Sequence, residues 1–481
     1  MPCMAHDYAY ASTIDTAAAI ARGDVSSAEL LEATLARIER LDGPINAIVR
    51  LDSERAMAAA RRADDAVAAG EDLPPLHGVP ISIKDSFQTE GLITTSGAPE
   101  LADFVPSTDA NPVRRYRDAG AVIFAKTNLP IWAGDAQSYN EIYGTTANPY
   151  DIERTPGGSS GGSAAALAAG YTPLELGSDI GGSIRIPSHM CGTAGHKPSY
   201  GIVSALGQIP GTPGTLTQAD IAVAGPMARC VDDLEVALDV LVGPDDWHAT
   251  AYSLDLPPAR AIDVKEFRVA TWWEEPSCPI TNETRQALEA TAAALAEAGA
   301  TVDHATPDIP FDKAVSTFEQ LLSAAEAATW TLAELDEMAA RDNLQGDLGI
   351  EHAAMRHRQW LSANERRLQQ RARWRDFFTK WDVILLPVTP TPAFPHDHSR
   401  PASSRLLRVD DIDLPYFHQI RWMGLTGVSY LPATVVRVGT SNQGLPIGVQ
   451  IAGPFLEDRT TIQLARHVEE VMGGFSPPEG F

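Results

Sequence analysis

The chain has 481 residues, of which 44% are hydrophobic and 21% are charged, a balance typical of a folded protein with a large core. Asp and Glu number 63 against 37 Lys and Arg, which gives a formal net charge of −26. So acidic a chain lacks the basic surface that nucleic-acid binding needs, and no apolar run approaches the roughly 20 residues of a membrane span. We therefore expect neither a nucleic acid nor a membrane as partner.

The N-terminus and the cysteines indicate a cytoplasmic protein. The first ten residues, MPCMAHDYAY, show neither the basic start nor the apolar stretch of a secretory signal. The four cysteines are widely spaced and form no CxxC pair or Cys/His cluster. They predict reduced thiols, and neither a disulfide framework nor a metal site.

The hydrophobic pattern predicts helices and strands that alternate along the chain. Ser26 and Glu29 have the spacing of a capping box ahead of an apolar helical pattern, and the alternating segment HGVPISIK suits a buried strand that ends at Lys84. Helices are predicted over 26–41, 55–70, 229–241, 283–298 and 458–472, with mainly helical sequence over 315–381. Strands are predicted over 77–84, 120–126, 300–303, 382–387 and 445–453. This order predicts an α/β fold with a mixed sheet.

Two serine- and glycine-rich segments carry the strongest chemical signal. The first, Gly157 to Ser163 (GGSSGGS), lacks the pattern of a phosphate-binding loop. It matches the GxSxG nucleophile elbow, centred on Ser159 or Ser160, but no apolar strand precedes it. A structural turn that opens a helix explains this segment equally well.

The second segment, GSDIGGSIR, places two glycines directly before Ser183. Consecutive backbone N–H groups in such a loop can converge on one point and stabilise an oxyanion. Ser183 is therefore a candidate nucleophile, and it needs a base. His189 and His196 are near in sequence but lack a triad context, whereas Lys84 ends an apolar strand, where burial would lower its pKa and yield a neutral amine. A solvated lysine at the end of the strand is the structural alternative.

Six sequence blocks, in order, resemble the amidase signature family: HGVPISIKDSF, KTNLPIWAG, TPGGSSGGSAAALAAG, GSDIGGSIRIPS, GPMARCVDDLEVALDVL and GLPIGVQIAG. The resemblance implies a single domain over 1–481 with a central mixed, twisted sheet flanked by helices on both sides. Its signature core would cover 75–242, and a more variable helical lobe over 243–425 would shape the substrate pocket.

The resemblance also implies roles for individual residues. Ser183 would be the nucleophile, Ser159 a bridging serine that follows a cis peptide bond, and Lys84 the base. Ser160 would either join this network or cap a helix, and Ser178 stands where the family usually has threonine. The oxyanion hole would comprise the backbone N–H groups of Ile180, Gly181, Gly182 and Ser183. No cofactor or metal is implied.

The substrate pocket is less well defined by the sequence. The segment Trp132-Ala133-Gly134-Asp135 follows KTNLPI, where related enzymes contact substrate, and is therefore a candidate binding segment. His189 and Met190 are candidate pocket residues, although packing explains them better. Aromatic residues of the variable region could line an apolar pocket or fill the core: Trp330, Trp360, Tyr416, Phe417 and Trp422.

The sequence favours an independent amidase, acting as a monomer or homodimer on a small-molecule amide, ester or carbamate, with aryl or hydrophobic substrates expected. The alternative is the glutaminase A subunit of a glutamine-dependent amidotransferase, although the segment IWAGDAQS does not match the MDEFAMGSS pattern of such subunits. A silent binding protein is disfavoured because Lys84, Ser159 and Ser183 are all present. An α/β-hydrolase would instead require His418 or His467.

Overall fold

The computed structural model describes residues 8–209, 213–327, 330–339 and 350–481. Its strands are β1 (Ile48–Leu51), β2 (Pro80–Lys84), β3 (Val122–Thr127), β4 (Tyr139–Asn140), β5 (Gly144–Thr145), β6 (Leu174–Asp179), β7 (Ala194–Lys197), β8 (Val223–Ala228), β9 (Arg268–Thr271), β10 (Thr301–His304), β11 (Val383–Pro387), β12 (Leu406–Val409), β13 (Ile412–Pro415), β14 (Ala433–Thr440) and β15 (Pro446–Ala452).

Helices occupy most of the sequence between these strands. They are α1 (Thr13–Arg22), α2 (Ser27–Leu41), α3 (Ser53–Ala69), α4 (Asn111–Asp118), α5 (Gly161–Ala168), α6 (Arg185–Cys191), α7 (Val231–Leu241), α8 (Asn282–Glu297), α9 (Phe311–Glu326), α10 (Leu332–Ala339), α11 (Ile350–Ala353), α12 (His357–Phe377), α13 (Arg421–Gly427) and α14 (Asp458–Met472). None of these helices combines the length and apolar character needed to cross a membrane, over the residues the structure describes.

The core of the molecule is an eight-stranded sheet with the order β10-β9-β11-β15-β14-β7-β8-β6. β9 pairs in parallel with β10 and β11, and the remaining neighbours are antiparallel. Helices flank the sheet, with α6 packed against β15 and α14 packed against β14. The predicted α/β fold with a mixed sheet and flanking helices is confirmed.

A second, three-stranded sheet has the order β1-β3-β2. β2 and β3 run parallel, and their register places Lys84 opposite Thr127. β2 also packs against β6 of the main sheet. This contact brings the end of β2, which carries Lys84, toward the end of β6, after which the loop to Ser183 begins.

The sequence predicts many of these elements correctly. The Ser26–Glu29 capping box forms and opens α2, and the strand predicted up to Lys84 is β2, which is buried along its length. Several strands are not predicted, among them β6, β8 and β14. In β6 and β8 every residue is buried, so neither LELGSD nor VAGPMA shows the alternation that reveals a half-exposed strand.

The region predicted as mainly helical, 315–381, contains several helices. α9 and α12 form its long parts, and a new helix starts after Thr331, where Glu334 N–H donates to Thr331 Oγ1 at 3.2 Å. Residues 328–329 and 340–349 of this prediction lie outside the described residues. The surrounding segment 243–425 also supplies β9, β10 and β11 to the main sheet.

Candidate active site

Three chain segments meet around the side chain of Lys84: the end of β2, the turn that opens α5, and β6. Lys84 Nζ lies 2.7 Å from Ser159 Oγ, 3.0 Å from Ser160 Oγ and 2.9 Å from Ser178 Oγ. Ser178 belongs to β6, so the amine joins β2 to both serine-containing segments. The structure thus brings Lys84 and Ser159 together as the sequence predicts.

The environment of Lys84 favours a neutral amine. Its side chain is fully buried, and this burial lowers the pKa of Lys84 to about 7, although the carboxylates of Asp179 and Glu175 oppose the shift. An ammonium would donate to all three hydroxyls. A neutral amine has only two N–H donors and one lone pair, so one of these hydroxyls must then donate to Nζ. The amine is therefore placed to take a proton from a serine.

The turn that carries Ser159 is shaped by close backbone packing. The Gly158–Ser159 peptide bond is cis. A Cβ at Gly158 would lie 2.5 Å from the Asp135 carbonyl oxygen and 2.6 Å from Gln137 N, so only glycine fits there. Ser138 fixes the turn on both sides, because its Oγ donates to the Gly157 carbonyl at 3.0 Å and accepts from Gly161 N–H at 3.1 Å.

Ser160 stands at the N-cap position of α5, but its side chain makes no capping hydrogen bond. Its Oγ instead accepts from Lys84. Of the two explanations that the sequence left open, the structure supports membership of the Lys84 network over helix capping.

The loop that follows β6 places Ser183 beside the Ser159 turn. Ser160 N–H donates to the Ser183 carbonyl at 3.1 Å, a direct backbone link between the two serine segments. Ser183 retains 9% of its accessible surface, against 1% for Ser159 and 0% for Lys84. Of these three residues, Ser183 is therefore the one that a substrate can reach most readily.

A buried ion pair holds the Ser183 loop in shape. Asp179 accepts from the backbone N–H groups of Gly182 at 2.9 Å and Ile184 at 3.1 Å, and Arg185 Nη2 contacts Asp179 Oδ1 at 2.8 Å. Burial alone would raise the pKa of Asp179, but the charge and hydrogen bonds of Arg185 outweigh it and hold the pKa below its usual value. Asp179 is therefore an anion at neutral pH.

One of the four predicted oxyanion-hole donors is already engaged. Because Gly182 N–H donates to Asp179 Oδ1, this amide is committed to the loop, contrary to the expectation that it faces an oxyanion. Ile180 and Gly181 are partly exposed. Their amides and that of Ser183 remain the candidates for oxyanion binding.

The predicted binding segment 132–135 lies against the same turn, but its carboxylate is used internally. Asp135 Oδ2 accepts from Arg405 Nη1 at 2.7 Å and from Tyr139 OH at 3.1 Å, and Asp135 Oδ1 accepts from Tyr416 OH at 2.5 Å. These bonds indicate that the carboxylate anchors the segment to residues around 405–416. Trp132, Ala133 and Gly134 are half-buried or exposed, and the first two have positive φ angles of 54° and 57°.

Apolar side chains cover the Ser183 loop on its other side. A Cβ at Gly181 would lie 3.8 Å from Phe318 and 3.9 Å from Ile420, and Ile180 packs partly exposed against the same hydrophobic cluster. Of the predicted pocket aromatics, three belong to this cluster: Trp360, Tyr416 and Phe417.

The other residues considered for the site lie elsewhere. Trp330 is 40% exposed, and Trp422 is fully buried in the main core. His189 is buried, with its ring bonded to backbone groups of Thr391 and Gly448.

The two histidines that an α/β-hydrolase would require bond away from the serines. His418 contacts the Pro415 carbonyl, and His467 contacts Glu470. No cluster of three or more His, Cys, Asp or Glu side chains that could hold a metal occurs within the described parts of the chain.

The sequence gives little indication of three further contributors to the site. Ser178 differs from the threonine usual in the family, and nothing in the sequence shows that it contacts Lys84. Ser138 and Glu175 are not predicted, because a single polar residue inside an apolar or loop segment gives no periodic signal. Only recognition of β6 as a strand, with Glu175 and Ser178 buried in it, could have drawn attention to two of them.

Comparison with known proteins agrees with this geometry. The amidase family model matches residues 29–462. The A subunits of the glutamyl-tRNA(Gln) amidotransferases of Chloroflexus aurantiacus and Geobacillus thermodenitrificans are 36% and 33% identical, each over 93% of this chain and over 93% and 94% of their own lengths.

Solved structures of the family superpose closely. One described as an amidase has a TM-score of 0.80 with 27% identity, and the match covers 96% of this chain and 100% of that one. A bacterial aryl acylamidase has a TM-score of 0.82 over 96% of each chain, but at 22% identity it shows the fold alone. With the Lys84 network, both serine segments and the family match in place, the chain belongs to the amidase family, whose members are hydrolases that act on C–N bonds.

Proposed function

We propose that this chain hydrolyses a carboxamide C–N bond through an acyl-enzyme on Ser183. The contact between Lys84 Nζ and Ser159 Oγ carries this proposal, because a buried lysine with a pKa of about 7 can act as a base at neutral pH. The link between Ser160 N–H and the Ser183 carbonyl supports transfer of the proton through Ser159, since it holds the two serine segments together.

In this mechanism Ser183 Oγ attacks the carbonyl carbon while its proton passes to Ser159 Oγ, whose own proton passes to Lys84 Nζ. The negative charge on the tetrahedral intermediate is stabilised by the N–H groups of Ile180, Gly181 and Ser183. The C–N bond then breaks, and the leaving nitrogen takes the proton back through Ser159. Water attacks the acyl ester by the same route and frees Ser183.

Two acyl donors fit this chemistry. The apolar surroundings of the loop, from Ile180, Phe318 and Ile420, support a substrate with an aryl or hydrophobic acyl group, including esters and carbamates. In that case the chain acts alone.

The second donor is glutamine, with the chain acting as the ammonia-supplying component of an amidotransferase. The curated relatives support this function more directly than the first, because both carry that name and match over 93% of this chain. The solved structure of a glutamyl-tRNA(Gln) amidotransferase component of the same type from Thermotoga maritima, 26% identical with a TM-score of 0.78 over 98% of each chain, adds to that support.

A substrate panel separates the two functions. Purified wild type and Ser183→Ala are assayed on 4-nitroacetanilide, a 4-nitrophenyl carbamate, a short aliphatic amide and glutamine. Release of nitroaniline or nitrophenol by wild type alone supports the independent amidase. Glutamine turnover alone, or glutaminase activity that needs added partner subunits, supports the amidotransferase function. Equal activity of both proteins on every substrate would contradict a reaction at Ser183.

A further inference from the structure

Glu175 is a fully buried carboxylate at the junction of the segments that carry the site. It lies on β6, four residues before Asp179. Ser82 Oγ donates to Glu175 Oε1 at 2.6 Å, and Leu176 N–H donates to Oε2 at 3.1 Å. The hydroxyls of Ser163 and Thr127, which lie 2.9 Å from each other, also hydrogen-bond to this carboxylate. A buried carboxylate with this many donors is held in one position.

The partners of Glu175 are distributed over the elements that position the reacting groups. Ser82 precedes Lys84 by two residues on β2, so both side chains leave the same face of that strand. Thr127 on β3 is paired with Lys84 in the sheet register. Ser163 lies in the first turn of α5, four residues after Ser159. One carboxylate thus joins β2, β3 and α5 to β6.

The charges around Glu175 are also arranged about Lys84. The carboxylates that face Lys84 are Asp179 and Glu175, both on β6. Glu175 is faced in turn by Lys126 from β3 and by Tyr116 from α4. Asp179 is neutralised by Arg185, whereas the hydrogen-bonding groups of Glu175 are hydroxyls and one amide, which carry no charge.

We propose that Glu175 is a positioning residue that aligns Lys84 with the two serine segments and stabilises the Lys84 ammonium formed during acylation. The inference rests on the proposed function, because it assigns the base role to Lys84. Burial raises the pKa of Glu175 to about 7, so Glu175 and Lys84 exchange protonation states over the same pH range. The neutral Lys84 form is the base, and the carboxylate favours the charged form that follows.

The test measures the rate at which a fluorophosphonate labels Ser183 as a function of pH, in wild type, Glu175→Gln, Glu175→Met and Glu175→Asp. Without the carboxylate, Lys84 is a weaker base with a lower pKa. We expect Glu175→Gln and Glu175→Met to move the acidic limb down by about one pH unit and to lower the plateau about 10-fold. Glu175→Asp, which keeps the charge, should keep the limb in place.

Asp42→Asn is the matched control, because Asp42 is another buried carboxylate that accepts two backbone N–H groups, from Ala47 and Ile48. It should leave the limb where wild type has it. A folded neutral variant of Glu175 with an unshifted limb would overturn the proposal, even if its rate were lower at every pH, since a merely structural role predicts that result. Glu175→Met serves where Glu175→Gln does not fold, because it leaves no side-chain amide to satisfy.

The labelling readout does not depend on the natural substrate. If wild type labels at Ser183 with a pH limb that shifts as expected but hydrolyses no amide, the proposed function fails and the role of Glu175 stands. If amides are hydrolysed and the limb does not move, Glu175 fails and the proposed function stands.

Discussion

Lys84 Nζ lies 2.7 Å from Ser159 Oγ, and Ser159 belongs to the turn whose next residue is hydrogen-bonded to the Ser183 carbonyl. The base thus contacts a serine other than the proposed nucleophile. This relationship divides the chemistry between a buried amine, a bridging hydroxyl and a partly accessible hydroxyl. It also means that removal of any one of the three groups should stop acylation.

The pH dependence of the reaction should follow the protonation of Lys84. Burial lowers its pKa to about 7, and only the neutral amine can accept a proton, so kcat/KM should rise with pH through about 7 and then level off. Lys84→Met should lower kcat/KM by about 10³-fold and abolish this limb. Lys126→Met removes another buried lysine, which is bonded to Thr89 and Thr94, and should retain a limb. A full acidic limb in Lys84→Met would contradict the assignment.

The same pKa has a consequence for stability. Lys84 has a pKa of about 7 in the folded chain and about 10.4 when unfolded, so between these values the unfolded chain binds the extra proton. The free energy of unfolding of wild type should therefore rise with pH from 7 to 10, by up to about 1.4 kcal/mol per pH unit from this group.

Lys84→Met should lack that contribution and be more stable than wild type at pH 7 by roughly 1–4 kcal/mol. Urea unfolding of both proteins at pH 7 and pH 9 measures the difference, which should shrink at the higher pH. Buried Lys126 and Lys197 are common to both proteins and cancel. A stability difference that is independent of pH would argue against a depressed pKa at Lys84.

Asp179 should be essential for the shape of the Ser183 loop. Asp179→Asn leaves the guanidinium of Arg185 buried without its counter-charge and removes an acceptor of loop amides, which should cost about 3–5 kcal/mol of stability and about 10²-fold in kcat through misplacement of Ser183.

Asp179→Asn with Arg185→Met removes the unpaired charge as well. The double variant should regain stability in thermal unfolding but not activity, because Gly182 N–H and Ile184 N–H still lack their carboxylate. Recovery of both properties would show that the ion pair serves stability alone.

Two neighbouring glycines in the loop should respond very differently to alanine. Gly182 has a φ of 114°, and a Cβ there would lie 2.2 Å from Met423 Sδ, whereas a Cβ at Gly181 meets nothing closer than 3.8 Å. Gly182→Ala should therefore destabilise the protein by roughly 1–3 kcal/mol and reduce acylation strongly.

Gly181→Ala is the control of equal chemistry. It should fold like wild type in thermal unfolding and mainly raise KM for bulky acyl groups, because its methyl group points toward Phe318 and Ile420. Similar losses of stability in both variants would contradict the loop geometry described above.

Much of the site could be predicted because its chemistry is local in sequence. GGSSGGS and GSDIGGSIR each concentrate glycine and serine within a few residues, and Lys84 ends a strand with a clear alternating pattern. Resemblance to the family then connected these segments, which are distant from Lys84 along the chain. The structure brings Lys84 against Ser159, as that resemblance implies.

The remaining contributors depend on contacts between distant segments. Asp135 was expected to face substrate, but its partners Arg405 and Tyr416 come from a segment some 270 residues later. Gly182 was expected to offer its N–H to an oxyanion, but Asp179 takes it through a turn whose geometry no residue pattern reveals. Glu175 gave no signal because a fully buried strand lacks alternation.

The most direct test of the account is to identify the residue that becomes acylated. Wild type, Lys84→Met and Ser183→Ala are mixed with a 4-nitrophenyl carbamate, quenched, and analysed by intact-protein and peptide mass spectrometry. The account predicts one acyl group per wild-type chain on the peptide that contains Ser183, formed far more slowly in Lys84→Met and absent in Ser183→Ala. An adduct on another residue, or undiminished acylation of Ser183→Ala, would contradict it.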